Sequence, residues 1–503
     1  MQYPSSLTLA QLESTHPEYQ DLAPALQEIS LLTAGGYRLK NQIQQFLPQR
    51  PGEESSLYES RLQKYTYNNI LSSAINSQVS KLSNGALNVS GLDSEPDFWT
   101  KWREKTDLAG KRAEKELIAE IFREILKFKK VYLHIDKPEA PVKPKNKAQE
   151  KLLGLRPYLV FYNASQVINW SEDGAGKPQW IKVRQLSQDT SNPFAQPLTR
   201  CTWTYIDQET IARYAAYVKL DKAGKVAAIV DVQGEEIAGG EEVKVPLATP
   251  PISHNLGQIP VIKVELPSDL WVCDQAASKA LQHLRTDCHK YDLETFLYVQ
   301  RQWKPQLTPD QDLHNSYTDS ADEPLPTGLQ YVLQNGDFDW KEAEGKILPQ
   351  LAASLQQIED QVRSLISQGG LSGSSKGAVE QSGLSKAFDF QEQNEILKSY
   401  GVILTQAYQQ VLQLVAQSQG LPHESISCSG LDSFDLDNLD SMLEQVSKLA
   451  ATDLSSLKEK LPPTLFKLLY QKLCSLLVGN LSAEQQDAIE QEIVSFATDQ
   501  TYV

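Results

Sequence analysis

Residues 369–377, GGLSGSSKG, contain the Gly, Ser and Lys residues of a phosphate-binding loop. Such a loop places Gly, Lys and Ser/Thr in succession, between a strand and the helix that it opens. Here Lys376 is followed by Gly377, and the residues before the loop have the apolar spacing of a helix. The sequence therefore favours a flexible Gly/Ser-rich connection over a nucleotide site.

An acidic motif, the cysteines and the histidines are the candidates for metal binding. Residues 432–440, DSFDLDNLD, lack the sixth-position Gly and twelfth-position acid of a calcium loop, so they fit a helix cap. The five cysteines form no CxxC pair, and the seven histidines show no metal-ligand spacing. We expect buried free thiols, no metal, no cofactor and no catalytic set, and hence a chain that is not an enzyme.

The formal net charge of −16 bounds the partners. Tight DNA binders usually carry a basic excess, because phosphate neutralisation dominates their affinity. The acidic balance argues against such a binder, but it is compatible with a passage whose wall must not hold DNA. Residues 421–503 are especially acidic. The N-terminus has no signal-peptide pattern and no window suits a membrane span, so we expect a cytosolic chain without membrane contact.

Apolar spacing predicts three helices in the first 150 residues: Leu22 to Leu32, Tyr58 to Leu82, and Asp107 to Phe128. Residues 142–151 are polar and predict a linker. Between residues 155 and 265 the composition changes to short β-type runs separated by turns such as DGAGK and DKAGK. This pattern predicts an antiparallel β-rich insertion, and the chain as a whole is expected to have an α+β, mainly helical fold.

Two later helices carry apolar stripes with spacings of 4, 3, 4 and 3 residues. The first runs from about Asp269 to Val299 and the second from about Pro349 to Ser367. A helical wheel places three basic residues opposite the first stripe. The stripes predict helices that pack against each other or against neighbouring subunits. The first stripe comprises Ala277, Leu281, Leu284, Cys288 and Tyr291, the second comprises Leu351, Leu355, Ile358, Val362 and Leu365, and the basic residues are Lys279, His283 and Lys290.

The rest of the chain is expected to add one strand, Leu329 to Leu333, between these helices. A mobile loop, Gln368 to Gly383, should follow the second helix, and a long helix should run from about Leu384 to Gln417. The last 80 residues are expected to be helical and acidic.

The order of four segments resembles portal proteins of tailed double-stranded-DNA phages, in particular the siphophage-like group. The segments are FLPQRPGEESSLYESRLQKYTYNNI (46–70), RPYLVFYNASQVINW (156–170), IPVIKVEL (259–266) and the stripe helix with its Gly/Ser loop and SGLSKAFDF (382–390). Together they span about residues 46 to 415. The chain departs from the family in the Gly/Ser loop, where relatives often carry Glu-Thr-Ala-Thr and this chain has Val-Glu-Gln-Ser-Gly.

The resemblance implies a portal fold with wing, stem, clip and crown regions. It assigns a helical wing to residues 1–150, a β-rich wing to 151–262, stem helices to 263–300 and 346–368, and a clip to 301–345. A tunnel loop at 369–383, a tunnel helix at 384–419 and an acidic helical crown at 420–503 complete the assignment. Stem packing would then use Leu281, Leu284, Leu355, Ile358 and Val362, and DNA-channel candidates are Lys279, His283, Lys290, Ser374, Ser375, Lys376 and Lys386.

The resemblance also implies function and partners. The family forms a homo-dodecameric ring at one capsid vertex, at the head–tail junction of the virion, after assembly in the host cytoplasm. Double-stranded DNA passes through the ring during packaging and ejection. The expected partners are other copies of the chain, the major capsid protein, the terminase large subunit and the head–tail adaptor protein. Another ring-forming virion or tail-connector structural protein is the alternative, and an enzyme with an unrecognised site is a more distant one.

Overall fold

The fold is taken from a computed structural model of the chain. It describes residues 3–83, 85–138, 149, 155–194, 196–221, 224–240, 242–296, 300–305, 336–341, 347–368 and 383–432. The chain divides into two compact units, Met1–Phe434 and Asp435–Val503, and every described residue lies in the first. The described residues form a mixed α+β structure with antiparallel sheets.

Seven helices and three strands occupy the N-terminal part that the structure describes. A continuous apolar core packs between the helices from Pro17 to Phe128, because each buries Leu, Ile, Phe or Trp there, whereas Leu9 and Leu12 of the first helix pack in a separate cluster with the sheet. The elements are β1 (Ser6–Thr8), α1 (Leu9–Glu13), α2 (Pro17–Ala34), α3 (Gly36–Lys40), α4 (Ser55–Lys64), α5 (Ile70–Ser83), β2 (Leu87–Ser90), α6 (Pro96–Glu104), α7 (Glu114–Phe128) and β3 (Lys130–Asp136).

The β-rich region predicted between residues 155 and 265 is confirmed, and its described strand pairs are all antiparallel. The strands at Leu198–Ile206 and Thr210–Leu220 alternate buried and less buried residues over part of their length. The strands are β4 (Tyr158–Asn163), β5 (Val167–Glu172), β6 (Pro178–Asp189), β7 (Leu198–Ile206), β8 (Thr210–Leu220), β9 (Val226–Val230), β10 (Glu236–Gly239), β11 (Lys244–Ser253) and β12 (Val261–Glu265).

Together with β1 and β3, these strands form two separate sheets. An eight-stranded sheet has the order β1-β11-β8-β7-β6-β5, with β9 added to β8 and β10 added to β9. A three-stranded sheet has the order β12-β3-β4, so β3, which follows helix α7, lies between the first and last strands of the β-rich region. Strand β3 was not predicted because its run, KVYLHID, continues directly from the apolar pattern of α7.

Three long helices and three short strands follow. They are α8 (Cys273–Phe296), β13 (Gln300–Pro305), β14 (Gly336–Lys341), α9 (Ile347–Gln368), α10 (Gly383–Ser418) and β15 (Ser427–Gly430). The three helices match the predicted ones to within a few residues. None of the described helices is long and apolar enough to cross a membrane.

Two of the predicted N-terminal helices have different bounds. The segment from Tyr58 to Leu82 is two helices, α4 and α5, because the chain becomes extended at Tyr65 and Asn69 then caps α5 by accepting a 3.1 Å hydrogen bond from the Ser72 N–H. The helix predicted from Asp107 begins only at Glu114. The Asp107 carboxylate instead accepts hydrogen bonds from the backbone N–H groups of Lys111 and Arg112, which holds residues 107–112 as a loop.

The predicted all-helical C-terminal region also needs correction. Ser427–Gly430 forms strand β15, which pairs with β2 over four residues, and the Thr405 hydroxyl of α10 donates a 3.1 Å hydrogen bond to the Gly430 carbonyl. The remaining predictions for the 142–151 linker, the strand at 329–333, the loop at 369–382 and residues 433–503 lie outside the described residues, apart from residue 149.

Candidate functional site: the paired helices α8 and α9

Helices α8 and α9 pack against each other, and strand β13, which follows α8, pairs with strand β14, which precedes α9. The hairpin pairs Gln300 of β13 with Lys341 of β14, and Pro305 with Gly336. Between the helices, the Glu359 carboxylate of α9 lies close enough to the His283 imidazole of α8 to favour its protonated form. The sums of these paired residue numbers are nearly constant, so the two segments run antiparallel to each other. The chain thus leaves along α8 and returns along α9.

Apolar side chains fill the contact between the two helices and the helical core. The five residues expected to pack the stem are all buried, with Leu284 1% and Val362 0% exposed. Ile366, 2% exposed, is the buried residue at the end of the α9 stripe, whereas the predicted Leu365 is only partly buried. Tyr291, at the end of the α8 stripe, is 43% exposed. These five residues are Leu281, Leu284, Leu355, Ile358 and Val362.

The three basic residues predicted to share one face of α8 do not share one environment. Lys279 and Lys290 are partly exposed, and Lys290 forms an ion pair of 3.4 Å with Glu294, one turn away. His283 is only 6% exposed. His283 lies opposite the apolar stripe on the helical wheel, yet its side chain is buried. The packing of α9 against α8 covers a wider arc of α8 than the apolar stripe alone.

Burial has a measurable consequence for His283. Desolvation of the imidazolium lowers the pKa of His283, and the nearby carboxylates of Asp287 and Glu359 partly oppose that effect. The side chain is therefore biased towards the neutral form. A neutral imidazole in a packed helix pair is a poorer candidate for phosphate contact than either exposed lysine.

A polar cluster ties the C-terminal half of α8 to residues 46–65. Arg50 forms a 2.5 Å ion pair with one oxygen of the Asp292 carboxylate, and the Tyr65 hydroxyl donates a 2.7 Å hydrogen bond to the other. Two turns earlier, Arg285 Nε donates to the Phe46 carbonyl at 3.1 Å. The segment FLPQRPGEESSLYESRLQKY thus holds α8 from the side.

The residues that hold α8 are themselves fixed within that segment. Arg61 contacts both carboxylate oxygens of Glu53 at 2.6 Å and lies over the ring of Tyr65, 6.0 Å from its centroid. Helices α2 and α5 also pack on α8, and α5 packs on α9. Helix α8 is therefore anchored in the helical core by apolar and polar contacts that reach its last turns, and α9 is held beside it.

The other portal-like segments serve the fold. Arg156 donates hydrogen bonds to the carbonyls of Lys105 and Asp107, which ties β4 to the loop before α7. Trp170 stacks on His16 with the ring centroids 4.1 Å apart, and the Lys130 ammonium lies 5.3 Å from the Trp170 ring centroid. These contacts show that Arg156 and Trp170 hold neighbouring parts of the chain together.

The remaining channel candidates lie between α9 and the first turn of α10. Ser374, Ser375 and Lys376 lie outside the described residues. Lys386 belongs to the first turn of α10, where only the helical backbone is described. Among the described residues no group of three or more His, Cys, Asp or Glu side chains could hold a metal ion, and Cys201, Cys273, Cys288 and Cys428 are free thiols.

A buried lysine that was not predicted from the sequence lies under the N-terminal arm, residues 6–14, which contains β1 and α1. Lys182 of β6 is 1% exposed and donates to the Gln11 carbonyl at 3.0 Å and to the Ser14 hydroxyl at 2.8 Å. Desolvation lowers the pKa of Lys182 to about 8, although the Glu13 carboxylate opposes the shift. Glu13 also pairs with Arg184 at 2.8 Å and accepts a 2.7 Å hydrogen bond from Trp203 Nε1, so α1 is held on the sheet by charge.

Neither a family model nor a curated protein sequence matches this chain. Among solved structures, it is similar to a chain of the virion of a native gene transfer agent particle, at 14% identity and a TM-score of 0.34 over 80% of this chain and 89% of that chain. It is similar to a chain in the neck of the empty particle, computed with C6 symmetry, at 13% identity and a TM-score of 0.37 over 80% and 89%. It is also similar to a chain in the neck of the native particle, computed with C12 symmetry, at 13% identity and a TM-score of 0.35 over 84% and 94%.

Proposed function

We propose that this chain is a phage portal protein, the subunit of a closed ring at one capsid vertex through which DNA is packaged and ejected. The observation that carries the proposal is the antiparallel α8–α9 pair, which is anchored in the helical core as far as Asp292 in the last turns of α8 and continues into the paired strands β13 and β14. Repeated around an axis, such pairs form a wall. The order of portal-like segments in the sequence supports the same assignment.

Each region then has a place in the ring. The N-terminal helices and the β-rich sheets form the wing, α8 and α9 form the stem, and the β13–β14 hairpin belongs to the clip. Helix α10 is the tunnel helix, residues 369–383 are the tunnel loop, and residues 420–503 are the crown. Strand β15 pairs with β2, so the beginning of that last segment is part of the wing's structure.

The charge of the helix pair suits a channel wall. The chain carries −16 in total, yet α8 has four acids against three lysine and arginine residues, and α9 has two acids against one arginine. A nearly neutral wall neither holds the phosphate backbone strongly nor repels it strongly, which favours passage of the duplex.

A few lysine and serine residues remain as candidates for contact with DNA. Lys279 and Lys290 are partly exposed on α8, and Ser374, Ser375, Lys376 and Lys386 belong to the tunnel loop and the start of the tunnel helix. His283 is a weaker candidate for contact with DNA than these residues, because it is buried between α8 and α9. ATP hydrolysis would belong to the terminase large subunit, while the major capsid protein and the head–tail adaptor would contact the ring from outside.

The test is the assembly state of the purified chain. Light scattering should give the mass of about twelve subunits, and negative-stain images should show closed rings with a central opening, as symmetric oligomers built from heterologous contacts do. A monodisperse monomer at high concentration contradicts the proposal. Closed rings of a different subunit number, without a DNA-packaging defect when the chain is absent, favour another virion or tail-connector ring protein.

A further inference from the structure

The exposed side chains of the described chain include apolar residues on two surfaces of opposite charge. The first, here called the basic loop, covers residues 101–115 between and around α6 and α7. Its sequence has six lysine and arginine residues against three acids. Leu108 is 63% exposed at its tip, and the exposed lysines around it form no ion pair among the described residues; they are Lys101, Lys105, Lys111 and Lys115.

The basic loop is a rigid feature. Thr106 N–H donates to the Arg112 carbonyl at 2.8 Å and closes the loop, and the Asp107 carboxylate accepts from two backbone N–H groups inside it. Arg103 and Arg112 are engaged within the chain, with Glu114 and Glu120. The lysines and Leu108 are therefore presented from a fixed backbone, which reduces the entropy lost on binding.

The second surface, here called the acidic hairpin, covers residues 231–242 at the β9–β10 turn. Its sequence has five acids and no basic residue. Val232 and Ile237 are 67% and 66% exposed, and Glu235, Glu236 and Glu242 are exposed beside them. Isolated apolar side chains on a surface are ordinary, but two on one acidic hairpin form a surface suited to a partner with the opposite charge.

The acidic hairpin is also held in place. The Asp231 carboxylate accepts 2.9 Å hydrogen bonds from the N–H groups of Gln233 and Glu235, and Gly234 adopts a φ of 84°. Gly234 packs against Leu198 of β7, since a Cβ at that glycine would lie 3.2 Å from Leu198 Cδ2. No described ion pair joins the acidic hairpin to the basic loop within the chain. The two surfaces belong to different sheets, since the basic loop contacts β4 and the hairpin borders β8.

We infer that the basic loop of one copy of this chain docks on the acidic hairpin of the next copy. This inference rests on the proposed ring, and it names the contact that closes it. A head-to-tail contact between two different surfaces of the same chain is the kind that generates rings. Leu108 contacts Val232 and Ile237 in this interface, and the lysines face Glu235, Glu236 and Glu242.

Charge exchange tests the contact. One variant carries Lys111→Glu and Lys115→Glu, and the other carries Glu235→Lys and Glu236→Lys. All four side chains are exposed, and Lys115 lies in the first turn of α7, where a carboxylate is favourable for the helix. From the usual strength of exposed ion pairs, each variant alone should require about tenfold more protein for ring assembly.

The decisive result is the mixture. The two variants mixed in equal amounts should assemble near the wild-type concentration, as rings in which they alternate, because every interface then pairs opposite charges again. One chain with all four substitutions should assemble as well. The control is Arg38→Glu with Lys64→Glu, two exposed basic residues outside both surfaces, which should assemble like the wild type.

The outcomes separate this inference from the proposed function. Wild-type rings that are unaffected by either variant, or variants that the mixture does not rescue, overturn the contact and leave the ring standing. A wild-type chain that stays monomeric overturns the proposed function itself. Circular dichroism and thermal unfolding of each variant must match the wild type, so that a loss of assembly reports the interface and not the fold.

Discussion

The Tyr65 hydroxyl donates a 2.7 Å hydrogen bond to the Asp292 carboxylate, and this contact joins the start of the α4–α5 connection to the last turns of α8. The same carboxylate pairs with Arg50, and the Tyr65 ring meets the Tyr291 ring edge-on with the centroids 6.0 Å apart. Two residues 227 apart in sequence thereby fix where the long helix leaves the core. Burial and, after it, the hydrogen bond to Asp292 raise the pKa of Tyr65, so the phenol keeps its proton over a wider pH range than a free tyrosine.

We expect Asp292→Asn to weaken this anchor, because it removes the ion pair with Arg50 and one charge-assisted hydrogen bond. The free energy of unfolding should fall by about 1–3 kcal/mol, as for hydrogen bonds to charged groups. Urea unfolding measures the change. Tyr65→Phe should give a smaller loss in the same direction, and Tyr37→Phe, at a residue that is 84% exposed, should give none. Equal stability of Asp292→Asn and wild type would show that the cluster carries no energy.

Leu284→Ala should destabilise the folded subunit, because Leu284 is 1% exposed and packs within its own chain. Removal of a buried leucine side chain costs about 2–5 kcal/mol. Lys279→Ala, at a partly exposed residue one turn away, should change the free energy of unfolding by less than about 0.5 kcal/mol and leave assembly intact. If the two variants unfold at the same urea concentration, the assignment of the packed and open faces of α8 is wrong.

Lys182 should make the stability rise with pH. The folded chain releases the Lys182 proton near pH 8, whereas the unfolded chain releases it near the ordinary value of 10.5. Between these values the unfolded chain binds more protons, so the free energy of unfolding increases as pH increases. From about pH 7 to about pH 9.5 this contribution is on the order of 2 kcal/mol.

The matched measurement compares wild type with Lys182→Met over the same pH range. Glu13 and Tyr205 also face Lys182, and the comparison cancels titrations that both proteins share. The rise should be present in wild type and absent from the variant. Parallel pH profiles would mean that Lys182 stays charged in the folded chain.

Gly401→Ala should lower stability although alanine is the better helix former. A Cβ at Gly401 would overlap the carbonyl oxygen of Leu431, the residue that directly follows β15. Helix propensity alone predicts a gain of about 1 kcal/mol, and the overlap must exceed it. Thermal unfolding beside Ser399→Ala, an exposed position of the same helix, decides the sign. A higher melting temperature for Gly401→Ala would show that β15 does not lie against α10.

The long helices and the antiparallel strands could be predicted because their periodicity repeats over many residues. The 4-3-4-3 stripes located α8 and α9 to within a few residues, and DGAGK and DKAGK became turns in which Asp173 and Asp221 accept backbone hydrogen bonds. The same chemistry in DVQGE at residues 231–235 passed unnoticed. Its Asp-x-x-Gly spacing was the available signal.

The rest depends on contacts between residues distant in sequence. Helix α6 is short, and its two tryptophans, Trp99 and Trp102, are buried only because other elements cover them. The burial of His283 arises from α9, about 75 residues later along the chain, and a single-helix wheel carries no information about it. The Lys182 site requires the N-terminal arm to return to the sheet, which no local pattern announces.

The arrangement of α8 and α9 in the assembled particle tests the central claim most directly. Cryo-electron microscopy of the purified chain should show a closed ring with one α8–α9 pair per subunit around the central opening, and with the β13–β14 hairpins at one end of it. A particle with no opening, or a ring with the α8–α9 pairs on its outer rim, would contradict the portal assignment.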